Sequence, residues 1–245
     1  MLRHLRALLP AEDFIYVADS GHAPYGLRDS DFIRARSAAI AALLIARGAK
    51  ALVVACNTAT AAAVDELRTA LRVPIIAMEP GIKPAVELTR SNIIGVLATA
   101  GTLESARFFS LVSRYAGAAE VITQPCAGLV ECIEAGELDT PATAELLHRY
   151  LDPLLSRGAD VLVLGCTHYP FVRELIERRA GAAVAIVDTG PAVARELKRR
   201  LAEQNLLRPA GAGTESFLSG GDPARSRRVI ARLWSANAVV EPLPI

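Results

Sequence analysis

Two cysteines in this chain of 245 residues stand where a thiol can act as an acid or a base. Cys56 and Cys166 each follow a short apolar run and precede a segment with helical periodicity. Free N–H groups at the start of a helix stabilise a thiolate, and they can also hold a substrate carboxylate. Two thiols on opposite faces of a carbon atom exchange its proton, one acting as base and the other as acid. The pair therefore predicts cofactor-free proton transfer at a carbon centre.

The residues beside the two cysteines suit an amino-acid substrate. Asn57, Thr58 and Thr167 carry short polar side chains that can bind a carboxylate or an ammonium group. His168 lies two residues after Cys166, and we expect it to tune that thiol or to relay its proton.

Other chemistries explain these residues less well. Zinc needs about four convergent ligands, whereas the sequence has no Cys-x-x-Cys pair and four scattered histidines, so no metal is predicted. A cysteine hydrolase would leave the second cysteine unexplained, and pyridoxal phosphate requires a Schiff-base lysine. None of Lys50, Lys83 and Lys198 lies in a recognisable cofactor loop, and no glycine-rich nucleotide motif occurs. A redox-regulatory disulfide between Cys56 and Cys166 remains an open alternative.

An internal repeat contains both cysteines. Residues 46–56 align without a gap with residues 156–166, and Arg, Gly, Ala, Leu, Val and Cys coincide. Each copy reads as the end of a helix, a glycine at its C-cap, a buried strand and a cysteine. The repeat predicts two similar lobes, each of which presents one cysteine at the carboxyl end of a strand.

Short apolar runs alternate with helical stretches along the chain. The predicted strands are residues 14–18, 51–55, 75–78, 93–98, 119–122, 161–165 and 183–187. This alternation predicts an α/β fold of two pseudo-symmetric lobes, each a mainly parallel sheet flanked by helices. We expect residues 1–77 plus 197–245 to form the first lobe, carrying Cys56, and residues 78–196 to form the second, carrying Cys166.

Composition and charge restrict the partners and the location. Lys and Arg number 27 and Asp and Glu 26, so a net charge of +1 argues against nucleic acid or an anionic membrane surface as a partner. No run of about 18 apolar residues is free of charge, so we expect no membrane-spanning helix. Four cysteines are too few for a disulfide framework, and we expect a reduced, cytoplasmic setting.

Over nearly its whole length the sequence resembles glutamate racemase, of the aspartate/glutamate racemase family. The Cys-Asn-Thr and Gly-Cys-Thr-His-Tyr-Pro motifs are together the most specific part of the resemblance. The segments that carry it are Asp19-Ser20 with Pro24-Tyr25-Gly26, Cys56-Asn57-Thr58-Ala59, Glu79-Pro80-Gly81, Gly101-Thr102, Gly165-Cys166-Thr167-His168-Tyr169-Pro170 and Asp188-Thr189-Gly190-Pro191.

The resemblance implies interconversion of L- and D-glutamate by cofactor-independent proton transfer at the α-carbon, which supplies D-glutamate for peptidoglycan. Cys56 and Cys166 would exchange the proton, with His168 assisting. The implied substrate-binding residues are Tyr25, Gly26, Asn57, Thr58, Thr167 and His168. The family also implies a homodimer with glutamate as its small-molecule partner. The alternatives are a racemase of aspartate or a weakly catalytic, racemase-like binding protein.

The sequence departs from the family at its start. Family members begin with a strand and an Asp-Ser-Gly loop before their first helix, whereas Met1 falls inside the segment that resembles this helix. Asp19-Ser20-Gly21 belongs to the following strand–loop segment, so those roles are not transferred to it. We therefore expect the chain as written to have little racemase activity.

Overall fold

The computed structural model describes residues 1–235 and 237–245. The strands are β1 (Phe14–Ala18), β2 (Leu52–Val54), β3 (Ile75–Ala77), β4 (Ile93–Ala98), β5 (Glu120–Pro125), β6 (Val161–Leu164), β7 (Ala185–Val187), β8 (Glu215–Ser219) and β9 (Val240–Pro242). The helices are α1 (Leu2–Leu8), α2 (Ser30–Ala46), α3 (Asn57–Ala70), α4 (Ile82–Leu88), α5 (Ala100–Leu103), α6 (Ala106–Tyr115), α7 (Leu129–Glu134), α8 (Pro141–Ser156), α9 (Arg173–Ala180), α10 (Gly190–Glu203) and α11 (Pro223–Leu233).

The chain divides into two compact units. The first unit contains Met1–Ala55, Ala62–Met78 and Gly190–Ile245. The second unit contains Cys56–Ala61 and Glu79–Thr189. The described residues include no helix long and apolar enough to cross a membrane.

The first unit contains two parallel sheets. One has the strand order β1-β8-β9, and the other joins β2 to β3. The opening helix α1 packs against α10, and Leu5 and Leu9 lie in the same apolar cluster as Leu197 and Leu201. The N-terminal segment is therefore a core element of this unit, because its apolar stripe is buried.

The second unit is built on a four-stranded parallel sheet of order β5-β4-β6-β7. Along β6 the buried side chains alternate between two apolar clusters: Leu162 and Leu164 join one, and Val161 and Val163 join the other. Both faces of the sheet are covered, which explains why the central strands are continuous apolar runs. Since all pairs are parallel, their carboxyl ends share one edge, and candidate residues are expected there.

The repeat seen in the sequence has the expected local structure. Gly48 and Gly158 both have positive φ, 82° and 88°, and each lies two residues past the end of its helix, α2 or α8. In each copy the following alanine donates its N–H to the helix, from Ala49 to Leu44 O at 3.0 Å and from Ala159 to Leu154 O at 3.2 Å. Both helices thus end in the same left-handed cap, as predicted.

The prediction of a mixed α/β fold with parallel sheets flanked by helices is confirmed, with differences in detail. Strands β8 and β9 were not predicted, and β5 continues to Pro125. Residues Cys56–Ala61 cluster with the second unit, because Asn57 and Thr58 hydrogen bond to residues of that unit. The lobe boundaries expected from the sequence stay a prediction.

Candidate active site

Cys56 caps the start of α3. Its carbonyl oxygen accepts the N–H of Thr60 at 2.9 Å, and its Sγ accepts the N–H of Ala59 at 3.4 Å. Burial raises the pKa of the Cys56 thiol above its ordinary value, while the Ala59 N–H lowers it and charge on Cys166 raises it. Hydrogen bonds from the N–H and hydroxyl of Thr58 also favour the thiolate. Cys166 is therefore close enough for its charge to act on the Cys56 thiol.

Cys166 is held at the carboxyl edge of the four-stranded sheet. It follows β6 through Gly165, whose N–H donates to Leu97 O at 2.7 Å. A Cβ on Gly165 would lie 2.9 Å from both Leu97 O and the Cβ of Ala98, so a side chain does not fit there. Cys166 itself is 8% exposed. Close packing of the preceding glycine against β4 therefore fixes the backbone that carries this thiol.

Asn57 connects the neighbourhoods of the two cysteines. Its Nδ2 donates to Gly165 O at 2.9 Å, so the residue after Cys56 is bonded to the residue before Cys166. Asn57 is 4% exposed, and within the described part of the chain its Oδ1 has no hydrogen-bond partner. A buried amide oxygen without a partner is costly, so this acceptor is suited to a ligand donor such as an ammonium group.

A histidine lies next to the Cys166 thiol, and a carboxylate lies next to the far nitrogen of that histidine. His168 Nδ1 lies 3.7 Å from Cys166 Sγ, and its Nε2 lies 2.6 Å from Glu134 Oε1. Burial acts to lower the pKa of His168, but hydrogen bonds and charge from Cys166 and Glu134 raise it to about 10. The imidazole is therefore held in its charged form between a thiol and a carboxylate. The sequence did not single out Glu134.

Three threonine hydroxyls lie together next to Cys56. Thr58 Oγ1 is 2.9 Å from Thr99 Oγ1 and 3.0 Å from Thr102 Oγ1, and the latter two are 3.0 Å apart. Thr99 follows the end of β4, so the sheet edge supplies this cluster. Thr167 lies half-buried directly after Cys166. Asn57, Thr58, Thr167 and His168, as predicted site residues, thus lie in the same unit as both cysteines.

Tyr25 and Gly26 lie in the first unit, in a short 3-10 turn that follows β1. The Tyr25 hydroxyl donates to Asp19 Oδ2 at 2.6 Å, and Arg36 donates to both oxygens of that carboxylate at 3.0 and 2.6 Å. His22 Nδ1 lies 3.0 Å from Asp19 Oδ1. Burial acts to raise the pKa of Asp19, yet these hydrogen bonds hold it below its ordinary value. Asp19 and Arg36 thereby fix the turn, a role that the sequence did not reveal for Arg36.

The remaining cysteines have ordinary surroundings. Cys126 is buried, and burial raises the pKa of its thiol to about 12, so it is unsuited to act as a base. Cys132 is half-buried, and all four cysteines, each in the described part of the chain, are free thiols. No three His, Cys, Asp or Glu side chains converge as metal ligands in residues 1–235 and 237–245.

A parallel α/β unit that brings two free thiols together, one at a helix start and one beside an imidazolium, has the groups of a thiol-based acid–base enzyme. Residues 1–197 match the family model described as Asp/Glu/Hydantoin racemase, and the chain belongs to this family. It is 52% identical over 245 residues to the glutamate racemase of Stutzerimonas stutzeri, an alignment that covers 100% of this chain and 92% of that protein.

Solved structures agree with this assignment. A glutamate racemase isoform of Bacillus anthracis superimposes with a TM-score of 0.91 at 28% identity, covering 100% of this chain and 92% of the other. The Escherichia coli glutamate racemase, solved with L-glutamate and the activator UDP-MurNAc-Ala, gives 0.87 at 30% identity and covers 99% and 92%. The resemblance inferred from the motifs is confirmed, and these relatives do not favour the aspartate or binding-protein alternatives.

Proposed function

We propose that this chain interconverts L- and D-glutamate by proton transfer at the α-carbon, without a cofactor. The observation that carries the proposal is the placing of Cys56 and Cys166 in one compact unit, where the charge of one thiol acts on the other. Relatives of about half-identical sequence and full coverage are named glutamate racemases, which supplies the substrate.

The proposed reaction removes one proton from the α-carbon and adds one proton to it. The thiolate of one cysteine removes the α-proton of glutamate, and the electron pair stays on the α-carbon. The thiol of the other cysteine then donates its proton to the opposite face, so the product is the mirror-image amino acid and the two cysteines exchange protonation states. The reverse reaction uses the same two groups with their roles exchanged.

Different hydrogen-bond donors stabilise the thiolate at each of the two cysteines. At Cys56 the donors are the N–H groups of α3 and the Thr58 hydroxyl. At Cys166 the donor is the charged imidazole of His168, which Glu134 orients. An imidazolium beside a thiolate stabilises it by charge and by hydrogen bonding. We therefore assign to His168 the assistance of Cys166, and to Glu134 the positioning of His168.

Substrate binding is shared among short polar groups. The unpartnered Oδ1 of Asn57 suits the ammonium group of glutamate, and the hydroxyls of Thr58 and Thr167 suit its α-carboxylate or its ammonium group. Tyr25 and Gly26 keep the substrate-binding role that their motif implies, supported by the bonds that hold their turn.

Isotope exchange tests the proposal. Purified chain is incubated with L- or D-glutamate in D₂O; loss of the α-proton is followed by NMR and inversion by circular dichroism. We expect exchange without any added cofactor, reduced by about 10²-fold or more in Cys56→Ser and in Cys166→Ser, because each removes a general acid–base group. The two variants should impair the two directions of inversion to different degrees.

Cys132→Ser is the matched control, since it makes the same chemical change at a half-buried thiol outside the proposed site. It should exchange as fast as the parent chain. Full activity in both Cys56→Ser and Cys166→Ser would contradict the two-thiol mechanism. The contrast among the three cysteine variants is readable whatever the rate of the parent chain.

The wider role follows from the product. We propose that the D-glutamate formed supplies peptidoglycan synthesis in the cytoplasm, as the family resemblance implies, and that the chain acts as a homodimer.

A further inference from the structure

A short helix ends in Glu134, whose carboxylate lies next to His168. This helix, α7, has six residues, fewer than a helix needs to be stable alone, so its position depends on its surroundings. Its buried face packs with α8 in one apolar cluster. Apolar packing decides which face of α7 points inward, but it has no direction and resists sliding along the axis only weakly. Since Glu134 is the last residue of α7, a slide along the axis would move its carboxylate away from His168.

The carboxyl end of α7 has a glycine cap that follows Glu134 closely. Gly136 has a positive φ of 78°, and its N–H donates to Ile133 O at 2.9 Å. The N–H of Glu137 donates to Cys132 O at 2.9 Å. These two bonds are those of a Schellman cap, in which the glycine takes the left-handed conformation. The chain that follows Glu134 is therefore fixed relative to the helix, and a bond to this cap is a bond to the whole of α7.

Thr143 of α8 makes such a bond. Its side chain is 0% exposed, and its Oγ1 donates to Glu137 O at 2.7 Å. The direction of this bond is settled, because a carbonyl oxygen only accepts. The one proton of Thr143 is thereby used, so Thr140 is the donor in the 3.0 Å contact between the two hydroxyls. Thr140 Oγ1 also accepts the N–H of Thr143 at 3.2 Å. All these contacts are satisfied together only when Thr143 donates to the cap of α7.

Tyr150, about two turns further along α8, makes a bond at the other end of α7. Its hydroxyl donates to Ala127 O at 2.5 Å, and here too the carbonyl oxygen can only accept. Gly128 follows with a φ of 82°, and its carbonyl oxygen accepts the N–H of Cys132 at 3.1 Å in the first turn of α7. The segments at both ends of α7 are thus bonded to side chains of the same helix.

We propose that Thr143 and Tyr150 are positioning residues for His168. They hold α7 at both ends and thereby keep its carboxylate on the imidazole, beside the Cys166 thiol. The distances that this arrangement preserves are 2.6 Å from Glu134 Oε1 to His168 Nε2 and 3.7 Å from His168 Nδ1 to Cys166 Sγ. The proposal rests on the proposed function in one respect, namely that Cys166 is one of the two proton-transfer groups.

The charge of His168 shows whether the carboxylate is in place. Hydrogen bonds and charge from Cys166 and Glu134 favour the imidazolium, whereas burial opposes it. In chain made with isotope-labelled histidine, the ring resonance of His168 is assigned by its loss in His168→Gln and followed by NMR across the alkaline range. Glu134→Gln should lower its titration midpoint by about one unit or more, because it removes the negative charge. Thr143→Val should lower it by about 0.3–0.5 unit, a twofold to threefold weaker affinity for the proton.

Tyr150→Phe tests the same arrangement from the opposite end of α7. It removes the bond to Ala127 O and should lower the midpoint of His168 as well. The substitution leaves in place the titratable and charged groups that act on Tyr150, namely Cys126, Glu131, Cys132 and Arg149. If Thr143→Val fails to fold, Tyr150→Phe alone decides whether α7 is held in this way.

Matched variants separate positioning from a general loss of stability. Thr143→Ser keeps the hydroxyl and should keep the parent midpoint. Thr89→Val removes a threonine hydroxyl of the same unit that bonds to Asp160 at 2.6 Å, and it should leave His168 unchanged. The exposed His148 lies on α8 between the two substituted positions, so its own resonance shows in every variant whether α8 is intact.

Three results would overturn the proposal. One is an unchanged midpoint of His168 in either Thr143→Val or Tyr150→Phe, which would mean that α7 keeps its place without that bond. Another is an equal loss in Thr143→Ser. The third is an undiminished effect of Thr143→Val in a Glu134→Gln chain, because the proposed influence passes through that carboxylate. The resonance is read without substrate, so these midpoints decide the proposal whatever the rate of exchange. Absence of exchange counts against the proposed function alone.

Discussion

At the scale of single residues, the least expected feature is the charge held beside Cys166. His168 lies between the Cys166 thiol and the Glu134 carboxylate, at 3.7 and 2.6 Å, and its pKa is raised to about 10. Its side chain is only 26% exposed. A histidine with these neighbours is protonated throughout the physiological range, which makes it a fixed charge and not a switch near neutral pH.

This charge predicts a definite pH dependence of stability. A histidine whose pKa is higher in the folded chain than its ordinary 6.5 stabilises the fold fully below about pH 6.5, and this contribution is lost as pH rises toward 10. His168→Gln should therefore lower the melting temperature most at pH 6, at a cost of about 1–3 kcal/mol. The difference from the parent chain should shrink steadily by pH 10. The exposed His148→Gln is the control.

Thermal unfolding followed by circular dichroism measures this dependence. A gap between His168→Gln and the parent chain that is the same at pH 6 and pH 10 would contradict a charged imidazole at this position.

The sequence identified the residues whose roles depend on local position. Cys56, Asn57 and Cys166 were recognisable because strand ends and helix starts can be read from short patterns. Glu134 was missed because it meets His168 across 34 residues of chain and lies in an ordinary helical segment. Thr99 was missed for the same reason, since it meets Thr58 across 41 residues through the order of strands in the sheet.

At the scale of the elements, the two copies of the repeat end their helices in the same way. The left-handed caps at Gly48 and Gly158 set the path from each helix into the strand before a cysteine. An ordinary residue in this conformation brings its Cβ too near its own carbonyl oxygen, at a cost of about 1–2 kcal/mol. The two positions differ little in the space around them.

Paired substitutions check that equivalence. A Cβ on Gly48 would meet nothing within 4 Å, and one on Gly158 would meet only Ile93 Cδ1 at 3.6 Å. Gly48→Ala and Gly158→Ala should therefore each lower the free energy of unfolding by about 1 kcal/mol, from backbone strain alone. Gly165→Ala should cost clearly more, because its Cβ would meet backbone at 2.9 Å. Urea titrations measure all three, and equal costs at the three positions would contradict this account.

Two strands escaped prediction for a physical reason. β8 contains only Phe217 and Leu218 as large apolar residues, and it pairs with β1 from the opposite end of the chain. β9 is three residues long and extends this sheet beyond β8. Such short strands become stable by pairing with a partner, which no local pattern of their own residues reveals.

At the scale of the whole molecule, the same position of the repeat holds a charged residue in each unit, and each of these residues bonds to other segments of its own unit. Lys50 in the first copy lies 2.7 Å from Glu12 Oε2 and donates to Leu206 O at 2.5 Å. Asp160 in the second copy accepts from Thr89 Oγ1, Arg90 N and Ser91 N at 2.6–2.9 Å. Burial acts to raise the pKa of Asp160, and these donors lower it to about 2.

Removing each charge should weaken its own unit. Lys50→Met leaves the buried Glu12 without its cation, and Asp160→Asn leaves loop donors without a carboxylate, so each should cost about 1–3 kcal/mol at pH 7. The Asp160 contribution is complete above about pH 4 and is lost as pH falls through 2. Within the described residues, Lys50 bonds to Glu12 and Leu206 whereas Asp160 bonds to Thr89, Arg90 and Ser91, so their effects should add within about 0.5 kcal/mol. Hydrogen exchange should show each loss in its own unit, and a strongly non-additive double variant would contradict this independence.

The hydrogen bond from Asn57 to Gly165 bears on how the substrate specificity of this chain could be changed. It ties the two backbone positions next to the thiols, and under the proposed mechanism those thiols act only on the α-carbon, which every α-amino acid shares. The distance between the two thiols thus need not change for a longer or shorter substrate side chain. Redesign for another amino acid should leave Asn57 and Gly165 unchanged and vary the residues that contact the substrate's side chain. Substrate specificity would then change while the two thiols keep their positions.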